Sequence, residues 1–598
     1  MKKLFCVFIS SVILFGVFIL PSSAAETCGC GKTPVIMISG FAAVKLIKVN
    51  GDGSEETAFP FQADSIKKAV KDNISHFNPD KPFWFLGEMA AQVVDPIRMN
   101  EDGTSYYNIK PPFSAAKDTS LAAFIQNGTE YAIPYNNSVF LDMRCLADEV
   151  GDDHVFNFLF DWRISSDIVA DELYAYIKDV LKTTGHKKVS LYCLSQGSVC
   201  AAQYLYKYAD KALLDNVVFD NPIFTGSDLV ADVYDKTYEE YSLDFSRALD
   251  IYDNIAHTEK HLSRLGGKVP DVANFVAKFG ADNFILPLVK ASPAYLEMLP
   301  EDRYDEICGM YDFSPELLET VDKVRNGYMK DVAATLRGAE KYGATVSIVA
   351  CSGFGLATGT KEQSDSIVNV SSSCGAYCSN TPFPDNYVQK KDLGHYCISP
   401  DRTIDLSAGF LPERTWIVNE LNHGQVEWAE RSLSLLMKLL FTHEIKDAWS
   451  TYEFPQFMQS NDPGNDIHAR FIATNSLLTK RGASGTVEIT NVSRKNKICL
   501  NDFKVFGAKI TADFELPVVL APGETLTFEI DTITETNGTL TFSYCESNAV
   551  FTGKEKTFDF SVIDDFPGIV SKTEYVSESG GSHGFQAKLM SFLNSLFN

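Results

Sequence analysis

Cys193-Leu194-Ser195-Gln196-Gly197 follows the apolar run Val189-Ser190-Leu191-Tyr192 and precedes Ser198 to Leu205, which carries the pattern of a helix. A strand, a sharp turn and a helix set the serine on the tip of the turn, with its hydroxyl presented outward. No other stretch constrains the fold as much, because so tight a turn needs small residues two before and two after the serine. Gly197 meets that demand, and Cys193 meets it imperfectly, since glycine is usual there. Serine-glycine turns after apolar runs are common, so the meaning of the pentapeptide depends on partners elsewhere in the chain.

The neighbouring segments supply a framework. Pro34 to Ile38 is a buried-strand run ending in Ser39-Gly40-Phe41, and His154 to Phe160 is a second, followed by Asp161-Trp162-Arg163. Asp167 to Leu181 repeats apolar residues at helical spacing, with Ile168, Leu173, Tyr176, Ile177, Val180 and Leu181 on one face. Further strands are expected at Asn216–Phe219, Thr345–Ala350 and Thr415–Val418, and a strong helix at Val426–Phe441. Strands alternating with helices imply a mostly parallel sheet covered on both faces. With the serine elbow this is the α/β-hydrolase arrangement, expected over residues 26–455. Residues 50–150 read as mixed and loop-rich. Strand signal disappears over about 226–342, which reads as an inserted helical cap or lid, with plain surface helices as the other reading.

From about residue 465 threonine, valine and alternating patterns dominate, as in Thr486–Thr490, Thr525–Ile530 and Thr539–Tyr544. Short strands at regular spacing indicate an all-β immunoglobulin-like sandwich over 465–565. Residues 566–598 hold a Gly/Ser linker and a short tail with Phe585, Leu589, Phe592, Leu593, Leu596 and Phe597 at helical spacing, open to membrane contact, docking or fraying.

At 598 residues the chain is too long for a single core, and its net charge of -25 argues against nucleic acid as a partner. Lys2 and Lys3, the apolar run Phe5 to Leu20 and the small residues Ser23 and Ala25 make residues 1–25 a secretory signal peptide. The expected location is therefore secreted or extracellular, with cell-surface association an extension of it. Loss of Cys6 with the signal leaves an even number of cysteines, which permits disulfides in an exported chain. Cys28/Cys30, Cys374/Cys378/Cys397 and Cys499/Cys545 are plausible local groups. Cys28-Gly29-Cys30 has no histidine near it in sequence and is poor for zinc, so no metal and no cofactor are expected.

An activated serine needs a base and a group that orients the base. In this fold they follow in the order serine, acid, histidine, with the histidine on the loop after the last strand. Glu420-Leu421-Asn422-His423-Gly424 lies between the strand Thr415–Val418 and the helix Val426–Phe441, so His423 is the expected base. His395 is the rival, but precedes the last strand. Ser399-Pro400-Asp401-Arg402 is a loop suited to the acid, so Asp401 is expected there, with Asp405 and Asp392 as alternatives and an ordinary Asp turn as the plain reading. The oxyanion of the tetrahedral intermediate needs two backbone N–H donors. Gln196, directly after the serine, and Phe41, after the first strand, are expected to supply them; a core aromatic is the plain reading of Phe41.

These residues carry a resemblance. Pro34-Val35-Ile36-Met37-Ile38-Ser39-Gly40-Phe41, Phe160-Asp161-Trp162-Arg163, the pentapeptide, Asn221-Pro222-Ile223-Phe224-Thr225-Gly226-Ser227, Asp401-Arg402-Thr403-Ile404 and His423 occur in the order seen in lecithin:cholesterol acyltransferase-like proteins, over roughly residues 33–440. The chain is similar to that family, which includes the lysosomal phospholipase A2. The resemblance implies attack on the ester of a phospholipid or similar acyl lipid, with Ser195, Asp401 and His423 as triad and Phe41 and Gln196 as oxyanion hole. The chain departs from the family at Cys193 and Leu194, which replace glycine and histidine, and at Ser39, Ala43 and Phe224.

The resulting expectation is an exported serine acylhydrolase of lipase or phospholipase type. The alternatives are a lipid O-acyltransferase using an alcohol acceptor, an esterase or peptidase acting on a non-lipid substrate, and a non-enzymatic surface or adhesion protein that reuses the fold. Asp161 and Arg163 are expected to form a salt-bridged turn rather than to take part in chemistry.

Overall fold

The computed structural model describes residues 28, 30–73, 84–128, 138–236, 282, 285–356, 363–384, 386–424, 426, 430–450 and 454–460, and, further on, 467–473, 484–491, 497–506, 508–511, 514–521, 523–532, 538–546 and 556–562. The expected signal peptide, the tail and residues 237–281 of the insertion lie outside the described residues.

Seven strands form one sheet: β1 (Val35–Ile38), β2 (Val155–Asn157), β3 (Val189–Leu194), β4 (Leu214–Asp220), β5 (Thr345–Ser352), β6 (Thr415–Asn419) and β7 (Phe457–Gln459). Their order is β2-β1-β3-β4-β5-β6-β7, and every adjacent pair is parallel. Strands buried on both faces must be apolar on both, which is why they read as continuous runs rather than alternations. All four residues of β1 are fully buried. The edge strand β7 has no counterpart in the sequence reading.

Helices cover the sheet. α1 (Ser166–Thr184), α2 (Gln196–Tyr208) and α3 (Val332–Glu340) form one layer, α2 touching both of the others. α4 (Glu430–Phe441) packs on β3 and β4 from the other side, where Ser190 Oγ and Asn216 Nδ2 donate to the Leu440 carbonyl at 3.1 and 3.0 Å. The α1 boundaries have local causes. Ser165 Oγ accepts from Asp167 N at the start, and Gly185, at φ 72°, ends the helix in the left-handed region that glycine tolerates. Its buried face is Val169, Ala170, Leu173, Tyr176, Ile177 and Val180; Ile168, expected on that face, is 47% exposed. This is an α/β architecture consistent with the hydrolase fold.

The region read as loop-rich is more ordered than its composition suggests. It holds an antiparallel sheet of Leu46–Val49, Glu55–Phe59 and Ile109–Lys110, and helices at Ala63–Asn73, Trp84–Val94, Leu121–Asn127 and Ser138–Val150. Between β4 and β5 the described residues are helical, with no strand. After residue 460 two four-stranded antiparallel sheets follow. One orders Ile467–Ala473, Ser484–Asn491, Thr525–Thr532 and Ala508–Thr511; the other orders Val518–Leu520, Ile498–Phe506, Gly538–Glu546 and Lys556–Val562. Cys499 and Cys545 are directly opposite across their strands.

The chain leaves β1 for β2 on one side and returns to β3 on the other. The carboxyl ends of β1 and β3 are therefore adjacent while their outgoing connections diverge, the position at which open α/β sheets take their ligands.

Candidate active site

Ser195 stands at the carboxyl end of β3 with φ 54° and ψ -125°. A non-glycine residue in that region costs on the order of 1–3 kcal/mol and persists only where its surroundings impose it. Here they do. Ser195 N donates to the Asp220 carbonyl at 3.1 Å, and Ser198 N donates to the Ser195 carbonyl at 2.9 Å as α2 begins. A Cβ on Gly197 would lie 2.2 Å from the Ile38 carbonyl oxygen, so the helix start sits too close to β1 for any side chain. Cys193 is accommodated because its side chain is fully buried within the sheet, opposite Ile38.

The loop after β1 presses on the serine. A Cβ at Gly40 would lie 2.8 Å from Ser195 Cβ and 3.1 Å from Ser195 Oγ. Phe41 follows and is 43% exposed, so it is not the core aromatic of the plain reading. Its ring stands edge-on to Trp162 and Tyr295, with centroids 5.1 and 5.4 Å away. Gln196 is buried; its Nε2 donates to the Trp162 carbonyl at 2.7 Å, and Trp162 Nε1 donates to the Val44 carbonyl at 3.1 Å. The Asp161-Trp162-Arg163 segment thus braces both residues expected to form the oxyanion hole. Arg163 is fully buried, pairing with Asp161 Oδ2 at 2.6 Å and donating to the Ile97 carbonyl at 2.7 Å, so these two charges hold a turn.

His423 lies after β6, buried. Its Nδ1 is 2.7 Å from Asp365 Oδ2, and its backbone N donates to the Asp365 carbonyl at 2.9 Å. A carboxylate only accepts, so the Nδ1 position carries the proton and Nε2 is the basic atom. Nε2 is buried with no hydrogen-bond partner among the described residues. Asp365 is itself fixed, its Oδ1 accepting from Ile367 N at 2.9 Å and Val368 N at 2.7 Å. Burial pulls the imidazole pKa down, but the Asp365 carboxylate, by its charge and its hydrogen bond, and the charge of Asp220 outweigh it, and the net displacement is upward from 6.5.

The structure brings His423 to Asp365 and not to Asp401, which corrects the expected acid. Asp401 accepts from Thr403 Oγ1 at 2.8 Å and Thr403 N at 3.2 Å and bonds Ser399 Oγ, the ordinary Asp turn. The two alternatives are also committed elsewhere. Asp405 accepts from Tyr387 Oη at 2.8 Å and Ser407 N at 2.9 Å, and Asp392 accepts from Gly394 N at 3.0 Å. His395 stacks on Trp449 at 4.1 Å. Asp365 was open to detection in the sequence, as the first aspartate after the strand that ends at Ser352. The small sheet of Tyr377–Cys378 and Ile404–Asp405, which carries Asp401 beside it, comes later in the same β5–β6 connection.

A further carboxyl carries no mark in the sequence. Asp220 ends β4, fully buried, with Oδ2 accepting from Tyr192 Oη at 2.6 Å. Its main-chain oxygen accepts from Ser195 N at 3.1 Å, and its charge pulls the His423 pKa upward. Burial, reinforced by the Asp365 charge against the Tyr192 hydrogen bond and the His423 charge, pushes its pKa to about 7.

No family model and no curated protein matches this chain. Among solved structures, phospholipase PlaB from Legionella pneumophila aligns with 75% of this chain and 87% of its own at 9% identity and a TM-score of 0.27. The same phospholipase in complex with thio-NAD aligns with 77% and 89% at 10% identity and a TM-score of 0.25. Likeness at that level carries no argument about this chain; the site rests on its own residues.

Proposed function

We propose that the chain is a serine acylhydrolase of lipase or phospholipase type, in which Ser195 is the nucleophile, His423 the base and Asp365 the group that orients it. The observation that carries this reading is the buried His423–Asp365 pair, with its Nε2 uncommitted, at the sheet edge where Ser195 occupies a strained elbow. His423 Nε2 takes the Ser195 Oγ proton as Oγ attacks the acyl carbonyl carbon. The negative oxygen that forms is held by the N–H groups of Gln196 and Phe41. Collapse breaks the ester bond, and the leaving alkoxide takes the proton from His423. Water, deprotonated by the same imidazole, then releases the fatty acid and restores Ser195. Asp365 keeps the ring in the reactive tautomer and stabilises the imidazolium.

The lipid substrate follows from the resemblance to the lecithin:cholesterol acyltransferase-like family, and the exposed Phe41 ring suits an acyl chain. Export by the signal at 1–25, an immunoglobulin-like reading of the two later sheets and membrane contact by the tail belong to the same proposal. A fluorophosphonate probe should label the protein and fail on Ser195→Ala; a folded wild type that takes no label refutes the enzyme. Mixed phospholipids with and without a lipophilic alcohol, analysed by mass, separate hydrolysis (free fatty acid alone) from transfer (a new ester).

A further inference from the structure

Four side chains meet at the opposite edge of the sheet from Ser195. Cys28 and Cys30 precede β1, His154 immediately precedes β2, and His186 follows the end of α1 and precedes β3. The three strands are neighbours, with Val35 in register with both Val155 and Ser190, so the amino ends of all three converge. Chain connectivity hides this convergence, since Cys30 is 124 residues from His154 and 156 from His186. Cys28-Gly29-Cys30, expected to bind no metal for want of a nearby histidine in sequence, meets two histidines from neighbouring strands.

The spacing of the donor atoms is specific. His154 Nε2 lies 3.5 Å from Cys28 Sγ, 3.5 Å from Cys30 Sγ and 3.2 Å from His186 Nε2, and Cys30 Sγ is 3.6 Å from His186 Nε2. All four atoms lie within 4.8 Å of one another. A tetrahedral zinc with its usual bonds to sulfur and imidazole nitrogen sets S···N edges of about 3.6 Å and an N···N edge of about 3.3 Å. These four edges match that tetrahedron, and the two remaining ones are within 4.8 Å. His154 Nδ1 is also 2.7 Å from Asp153 Oδ1, which fixes the proton on Nδ1 and turns Nε2 into a lone-pair donor. A carboxylate behind a ligating histidine is the usual outer support of a zinc site.

We propose that Cys28, Cys30, His154 and His186 bind one zinc ion in a closed, structural Cys2His2 site, with Asp153 as positioning residue. Four protein ligands leave no position for substrate, and two thiolates balance the charge of the ion. The site ties the entry of β1 to β2 and α1–β3, anchoring the strand whose other end leads into Gly40 and Phe41. It is independent of the triad proposed above.

The test uses the full chain, purified under reducing conditions and supplied with zinc, then freed of excess metal. About one zinc per chain by elemental analysis is expected, falling to background in Cys30→Ser and in His186→Ala. Asp153→Asn should bind zinc about 10–100-fold more weakly in competition with a chelator. Cobalt in place of zinc should give tetrahedral d–d bands and thiolate charge transfer, both lost in His186→Ala. Fluorophosphonate labelling of Ser195 in His186→Ala shows that the variant is folded and keeps the metal question apart from the catalytic one. Wild type that binds no zinc with both thiols reduced, or that binds it equally well without His186, overturns the proposal. So does an exported protein whose mass and peptide map show Cys28 and Cys30 joined as a disulfide.

Discussion

His423 Nδ1 lies 2.7 Å from Asp365 Oδ2, and the main chains of the same two residues are joined by a 2.9 Å hydrogen bond. The doubled link sets the position of the imidazole and the direction it faces together. It also sets Asp365 in the place expected for Asp401. Asp365→Asn should lower kcat/KM on a soluble ester by about 10⁴-fold, as loss of the orienting carboxylate does in serine hydrolases. Asp401→Ala should leave kcat/KM within a few-fold and reduce stability by about 1 kcal/mol through its lost turn bonds. Steady-state kinetics and denaturant unfolding of the two variants check this; the reverse pattern would reinstate Asp401.

The acid limb of activity follows from the same pair. The base must be neutral, and its pKa is displaced upward from 6.5, so activity should fall as pH drops through a value above 6.5. Asp365→Asn removes the larger of the two upward influences and should move the limb toward lower pH. A kcat/KM profile across neutral pH measures both.

Asp220 gives stability a pH dependence of its own. A carboxyl whose pKa rises on folding from 3.8 to about 7 binds its proton more tightly in the folded state, so stability is lost as pH climbs through that window. Asp220→Asn keeps an acceptor for Tyr192 and abolishes the titration. Its melting temperature relative to wild type should be higher at about pH 8 than at about pH 4, by on the order of 2–4 °C. Thermal scans at the two pH values decide it, and an equal offset at both would contradict it.

Two glycines should fail in different ways. A Cβ at Gly40 meets Ser195 itself, at 2.8 Å, whereas one at Gly197 meets the β1 main chain at 2.2 Å. Gly40→Ala should fold and lose about 10²-fold in kcat by shifting the oxyanion loop. Gly197→Ala should destabilise by about 3 kcal/mol or more, since backbone must move. Circular dichroism melts beside active-site titration tell the two apart.

Much of the fold is legible along the chain, because a strand buried on both faces writes itself as an apolar run. β1, β3, β4 and β5 are read that way, and the elbow is marked by Ser195 and Gly197. The edge strand β7 and the helices within residues 50–150 are not, since short elements that borrow their burial from a neighbour carry little pattern of their own.

The sequence by itself determined the strand–elbow–helix around Ser195, the place of His423 after the last strongly patterned strand, and the α/β order of the first 455 residues. These depend on contacts within one segment or on the order of segments. Only the tertiary structure decided which aspartate meets His423, that Asp220 bears on both serine and imidazole, and that two histidines stand beside Cys28 and Cys30. Those pairings depend on which strands are neighbours in the sheet, and lateral strand order brings together residues 58 positions apart in one case and more than a hundred in another, with no periodicity to announce it.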